Sequence, residues 1–216
     1  MEIIKNIVEF FFHIDRHLNV VIQNCGAWSY AVLFAIIFAE TGLVITPFLP
    51  GDSLLFTAGA FAAAGSFNIA WLSLALFAAA VIGDSVNYAV GKRIGSGIFT
   101  ADSKFFKKEY LDKTHRFYEK YGGKTIVIAR FVPIIRTFAP FVAGVGKMSY
   151  GRFFSYNVIG ALLWVAIFTG GGFLFGNMPI IKKNFSVVVF IIIFVSILPP
   201  AIEFWKHHKG KRASLK

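Results

Sequence analysis

Two carboxylates and two guanidiniums interrupt stretches that are otherwise lipid-soluble: Glu40 and Asp52 in the first half of the chain, Arg130 and Arg136 in the second. Each such charge costs roughly 2.5 to 3.5 kcal/mol at the centre of an apolar helix, so four unpaired ones cost on the order of 10 kcal/mol. Charges retained against that cost are functional by default. The arginines stay protonated and offer planar forks suited to phosphate or carboxylate, which makes them candidate substrate-binding groups. On a straight helix Arg130 and Arg136 would diverge, but Pro133 between them bends the segment, so both guanidiniums could converge on one anion. In lipid surroundings phosphate is the natural candidate. A competing reading gives each arginine one acid, Glu40 or Asp52, as a structural ion pair. Glu40 and Asp52 are also candidates for proton coupling, since protonation would weaken their pairing and release the arginines to an anionic headgroup. A helix beginning at Ser53 or Leu54 would in addition be capped by Asp52.

Other reactive residue types carry weaker signals. Asp84, Asn87 and Tyr88 share one helical face, which either lines a secondary polar path or marks the water interface. His13 and His17 have i, i+4 spacing, but no third ligand completes a metal site, and the single Cys25 excludes a cysteine cage or an internal disulfide. No phosphate-cradling Gly-Lys-Ser/Thr loop is present, so no nucleotide or other cofactor is expected, and Gly170-Gly171-Gly172 reads as a helix-packing patch. No activated nucleophile is evident. An intramembrane enzyme acting on lipid phosphate, with Asp52 or Glu40 as base, is therefore the second choice behind a transporter.

Composition sets the class. Of 216 residues 56% are hydrophobic, 26 are Phe and 15% are charged, which describes an integral membrane protein. The net charge of +11 points to membrane placement and not to nucleic acid, because it is concentrated in two segments. Nine Lys/Arg lie between Lys92 and Lys124, and five more between Lys206 and Lys216. The positive-inside rule puts both on the cytoplasmic side, where they would also attract anionic headgroups. Glu2, Lys5 and Glu9 at the start show no cleavable signal pattern.

The elements that must position the charges follow from apolar runs and breaks. The expected architecture is an all-α membrane domain over residues 1–216: an amphipathic helix at 1–24, a re-entrant hairpin at 28–65, a span at 69–90, a basic cytoplasmic segment at 91–124 with its own amphipathic helix, a second re-entrant hairpin at 125–146, spans at 153–176 and 185–204, and a basic tail at 205–216. Pro47, Pro50 and Gly51 break the first hairpin; Pro133 and Pro140 break the second. A kinked full span is the alternative for the first. For 125–146, two spans that return the chain to a basic side require entry and exit on the same face. The hairpins would then dip from opposite faces and meet near the midplane.

A shift of 90 residues aligns Ala39 with Ala129, Glu40 with Arg130, Ile45 with Ile135, Phe48 with Phe138 and Pro50 with Pro140. This resembles an inverted repeat, in which paired broken helices mark a transport site.

The strings Phe38-Ala39-Glu40-Thr41-Gly42, Pro47-Phe48-Leu49-Pro50-Gly51-Asp52-Ser53, Gly83-Asp84, Ala129-Arg130-Phe131-Val132-Pro133 and Arg136-Thr137-Phe138-Ala139-Pro140-Phe141-Val142-Ala143-Gly144 closely resemble the DedA family, over about residues 10–205. That resemblance implies a multi-pass protein of the bacterial inner membrane, from a superfamily that includes eukaryotic lipid scramblases. It implies movement of a phospholipid or of undecaprenyl phosphate between leaflets, dependence on protons, and a role in envelope integrity and cationic peptide resistance. The family's essential acids and arginines fall on Glu40, Asp52, Arg130 and Arg136. Expected partners are therefore a phospholipid or polyprenyl phosphate and protons; self-association is compatible with the sequence.

Overall fold

The computed structural model describes residues 26–43, 51–94, 108–176 and 178–179. The expected amphipathic helix at 1–24, Pro47, Pro50, the span at 185–204 and the basic tail lie outside the described residues.

All regular structure among the described residues is helical. Helix α1 covers Trp28–Gly42 and α2 covers Gly51–Ala63. A turn at 64–68 leads into the long α3, Ile69–Ile94. Gly65, with φ of 88°, takes the left-handed conformation that this turn needs. Asn68 then caps α3, its Oδ1 accepting from the N–H groups of Ala70 at 3.0 Å and Trp71 at 3.3 Å. Helix α4, Lys108–Tyr121, ends in a 3₁₀ turn at Gly122–Lys124, followed by the short α5, Thr125–Ala129, then α6, Pro133–Val145, and the long α7, Tyr150–Phe175.

Helices α3 and α7 each have 26 residues, about 39 Å, and so exceed a hydrocarbon core of about 30 Å. Their outer faces carry exposed Trp71, Leu74, Ile82, Ile159, Leu162 and Ile167, an apolar surface suited to lipid. The expected span at 69–90 runs on to Ile94, placing Lys92 and Arg93 in its last turn, where cations oppose the negative helix end. By contrast α1 has 15 residues and α2 has 13, about 22 and 20 Å, too short to cross.

The packing repeats. Helix α1 lies on α3 and α5 on α7, while α2 lies on α7 and α6 on α3. Exchanging α1 with α5, α2 with α6 and α3 with α7 leaves this pattern unchanged. Tyr150 Oη donates to Ser85 Oγ at 3.3 Å and Asn157 Nδ2 to the Val81 carbonyl at 3.0 Å, so α3 and α7 run antiparallel and the two halves are inverted. Matching glycines allow the close approaches: a Cβ on Gly172 would strike the Phe56 carbonyl, and one on Gly91 the Phe141 carbonyl. Among the described residues only Gly172 of the glycine triplet serves this role, since a Cβ on Gly170 or Gly171 would meet none of them. Phe56 and Phe141 thus correspond at an offset of 85, which corrects the offset of 90 read from the sequence for these second arms; the intervening segments differ in length.

Both gaps lie beside the middle of α3. Tyr30 Oη accepts from the Asn68 N–H at 2.8 Å, fixing the start of α1 beside the start of α3, while Gly42 at the other end meets Gly83. The gap between α1 and α2 therefore lies about halfway along α3. The gap between α5 and α6 lies against Asp84 and Asn87 of the same helix.

That second gap falls at Arg130–Val132, with Pro133 opening α6 in the first turn, where its missing N–H is tolerated. Pro140, expected as a further break, lies inside α6 and the helix continues through it. It only removes the bond to the carbonyl four residues earlier.

Candidate functional site

Glu40 stands in the last turn of α1 and is completely buried. Its Oε1 accepts from Arg136 Nη2 and, at 3.1 Å, from the Gly51 N–H that opens α2. A carboxylate from α1 thus satisfies one of the orphan donors at the start of α2 across the gap. Gly51 is required there, because a Cβ would collide with that carboxylate. Glu40 Oε2 is buried with no hydrogen-bond partner among the described residues.

Asp52 lies in the first turn of α2, which begins two residues before the expected Ser53 start; instead of preceding the helix as its cap, it is part of it. Its Oδ1 accepts from Arg136 Nη1 at 3.1 Å and from Trp164 Nε1 at 2.8 Å. Arg136, in the first turn of α6, therefore bridges both acids, one terminal nitrogen to each. Opposed charges from the two halves meet at the end of α1, the start of α2 and the start of α6.

Arg130, in the α5–α6 gap, takes neither of the two expected acids. Its Nη2 donates to Asp84 Oδ2 at 2.5 Å and to Asn157 Oδ1 at 2.6 Å. Asp84 is buried within α3, so its polar face belongs to the interior and not to a water interface. Arg130 Nε and Nη1 are buried without partners among the described residues, and Gly160 leaves room for the side chain: a Cβ there would stand 3.1 Å from Nε. The reading of one acid per base is corrected accordingly. Three carboxylates, Glu40, Asp52 and Asp84, face two guanidiniums, a formal charge of −1 when all are ionised.

Trp164 joins the two ion-pair groups. It is fully buried on α7, and its ring centroid lies 5.8 Å from Arg130 Cζ and 5.4 Å from Arg136 Cζ. Both guanidiniums therefore stand beside the same indole ring. Asn87 ties the surrounding backbone, its Nδ2 donating to the carbonyls of Thr41 at 3.2 Å and Thr137 at 2.8 Å. Tyr88 turns away: its hydroxyl donates to the Met148 carbonyl and its ring stacks on Phe153 at 4.5 Å. Of the expected polar path, Asp84 and Asn87 reach the site and Tyr88 does not.

Sequence reasoning overlooked Trp164, Asn157 and Gly160. The first two had a readable signal, because an amide in the middle of an apolar span, or a Trp far from either interface, is as anomalous there as a charge.

A helical membrane protein of two inverted halves, each with a broken helical pair beside a long span and a buried ion-pair cluster between them, is the class that fold and site define. The VTT domain matches residues 49–174, and the chain belongs to the DedA family that carries it. It is 52% identical to Protein DedA of Escherichia coli K12 over the full length of both chains. The uncharacterized membrane protein Rv0364 of Mycobacterium tuberculosis is 42% identical, with 87% of this chain and 85% of that one aligned. The inner membrane protein YqjA of E. coli K12 is 30% identical, with 85% and 87% covered. No solved structure matches the chain.

Proposed function

We propose that this protein moves a phosphate-bearing lipid, a phospholipid or a polyprenyl phosphate, between the leaflets of the bacterial inner membrane, coupled to protons and without chemical change to the lipid. In this reading α1–α2 and α5–α6 are re-entrant hairpins from opposite faces, with the basic segment at 91–124 and the C-terminus in the cytoplasm. The placement in the inner membrane draws support from YqjA, which is named an inner membrane protein.

The observation that carries the proposal is Arg136 held by Glu40 and Asp52 across the two breaks, beside an Arg130 with unused donors. Three acids against two bases leave the cluster one proton short of neutrality. Glu40, whose Oε2 has no partner among the described residues, and Asp52 are the two acids of Arg136 that can take that proton. Protonation removes an anionic partner from Arg136 and leaves guanidinium donors in excess, as an incoming phosphate requires.

The test is leaflet exchange of a fluorescent phospholipid or polyprenyl phosphate in vesicles containing the purified protein. Exchange should be accelerated by the wild type and return to the protein-free rate in Arg136→Ala and Arg130→Ala. Equal exchange by the variants would exclude the proposal. An imposed pH gradient should drive net movement; a rate indifferent to it would make the protein a passive scramblase. Recovered lipid should be unaltered by mass spectrometry, whereas a changed headgroup would indicate an enzyme.

A further inference from the structure

Trp164 contacts Asp52, Arg130 and Arg136 together. Its indole N–H and Arg136 Nη1 share the same acceptor, Asp52 Oδ1. Asp52 is also the least buried acid of the cluster: its side chain is 13% exposed, against 0% for Glu40 and 3% for Asp84.

We propose that Trp164 is the positioning residue of the proton step: its N–H sets how firmly Asp52 holds its ionised form, and its ring keeps both guanidiniums in place when Asp52 is discharged. This deepens the proposed function and rests on it for the lipid-exchange readout. The physical reason is an asymmetry between two donors on one oxygen. A guanidinium is bound to Asp52 mainly by charge and loosens when the carboxylate is neutralised. The indole is a neutral donor, so it loses less, and both cations remain over the ring face through their attraction to its quadrupole. Arg136 is thereby released from an acid without being released from the site. Among the described residues, the charged groups that bear on this step are Glu40 on α1, Asp52 on α2, Asp84 on α3, Arg130 in the α5–α6 gap and Arg136 on α6; α7 supplies the neutral Trp164 and Asn157.

Trp164→Phe keeps an aromatic face and removes only the donor. The infrared carbonyl band of a protonated acid that Asp52→Asn abolishes should emerge in Trp164→Phe at a pH higher by about one unit than in the wild type. The pH profile of lipid exchange should move the same way by a similar amount. Trp164→Leu should in addition lower the maximal rate, since no ring then holds the arginines. An unmoved carbonyl band in folded Trp164→Phe would overturn the proposal.

Should Trp164→Phe fail to fold, the wild type still decides. The indole N–H signal of Trp164 should titrate with the midpoint of the Asp52 band and become pH-independent in Asp52→Asn; an indole signal that ignores Asp52 would overturn the proposal. Because the infrared and indole measurements need no transport, absence of lipid exchange by the wild type would refute the proposed function while leaving the role of Trp164 to be judged on these signals.

Discussion

At the scale of residues, this membrane interior tolerates charge because each buried ion has a specific partner brought from another element. Arg136 is the most connected, so its loss leaves Glu40 and Asp52 facing each other without a cation. Arg136→Ala should destabilise the protein by roughly 3–5 kcal/mol, the usual consequence of stranding buried charge. Thermal unfolding in detergent would register it, and Arg136→Lys should recover little, because a single ammonium cannot give one terminal nitrogen to each of two acids. Gly51 is coupled to the same pair. Gly51→Ala should displace the Glu40 carboxylate and cut exchange activity severely with only a modest change in unfolding temperature; normal exchange would show that Glu40 need not sit there.

At the scale of elements, the amphipathic α4 is fastened to the second broken pair by Tyr118, whose hydroxyl donates to the Ala139 carbonyl of α6 at 2.9 Å. Burial, with the Asp84 charge adding to it, holds the Tyr118 phenol above the ordinary tyrosine range. A pKa raised on folding contributes stability that is complete below the unfolded value near 10 and is lost as pH climbs above it. The docking of α4 should therefore weaken in strong alkali, and Tyr118 should ionise last in an ultraviolet titration. Tyr118→Phe should remove about 1 kcal/mol and abolish that late ionisation. The inverted packing makes a paired prediction: Gly91→Leu and Gly172→Leu should each force apart equivalent helices, α3 from α6 and α7 from α2, at a cost of roughly 1–3 kcal/mol. Similar losses in both would support the equivalence; a silent Gly172→Leu would refute it.

At the scale of the whole molecule, the antiparallel α3 and α7 place the turn before α3 and the turn after α6 at opposite ends of the bundle, which the proposed function puts on opposite sides of the membrane. With Cys25 replaced, Ser66→Cys should react with an impermeant maleimide applied from outside, and Lys147→Cys only after the membrane is opened. Labelling of both from one side would eliminate the opposed-hairpin arrangement.

The class of the protein, its short and long helices and four of its charged residues were legible in the sequence, because hydropathy, helix length and proline act locally. Thr125–Ala129 and Pro133–Val145 fall within the expected second pair for that reason. The inverted relation between halves was legible too, although its register was not, since insertions shift an alignment without shifting the packing. The pairing itself was out of reach. Charge alone assigns Arg130 to Glu40 or Asp52 as readily as to Asp84, and only the antiparallel crossing of α3 and α7 brings Asp84 and Asn157 to it while Arg136 bridges the other two acids. Trp164 acquires its place in the same way: a Trp in mid-span is a local anomaly that names no partner, and distance in three dimensions sets it beside two arginines.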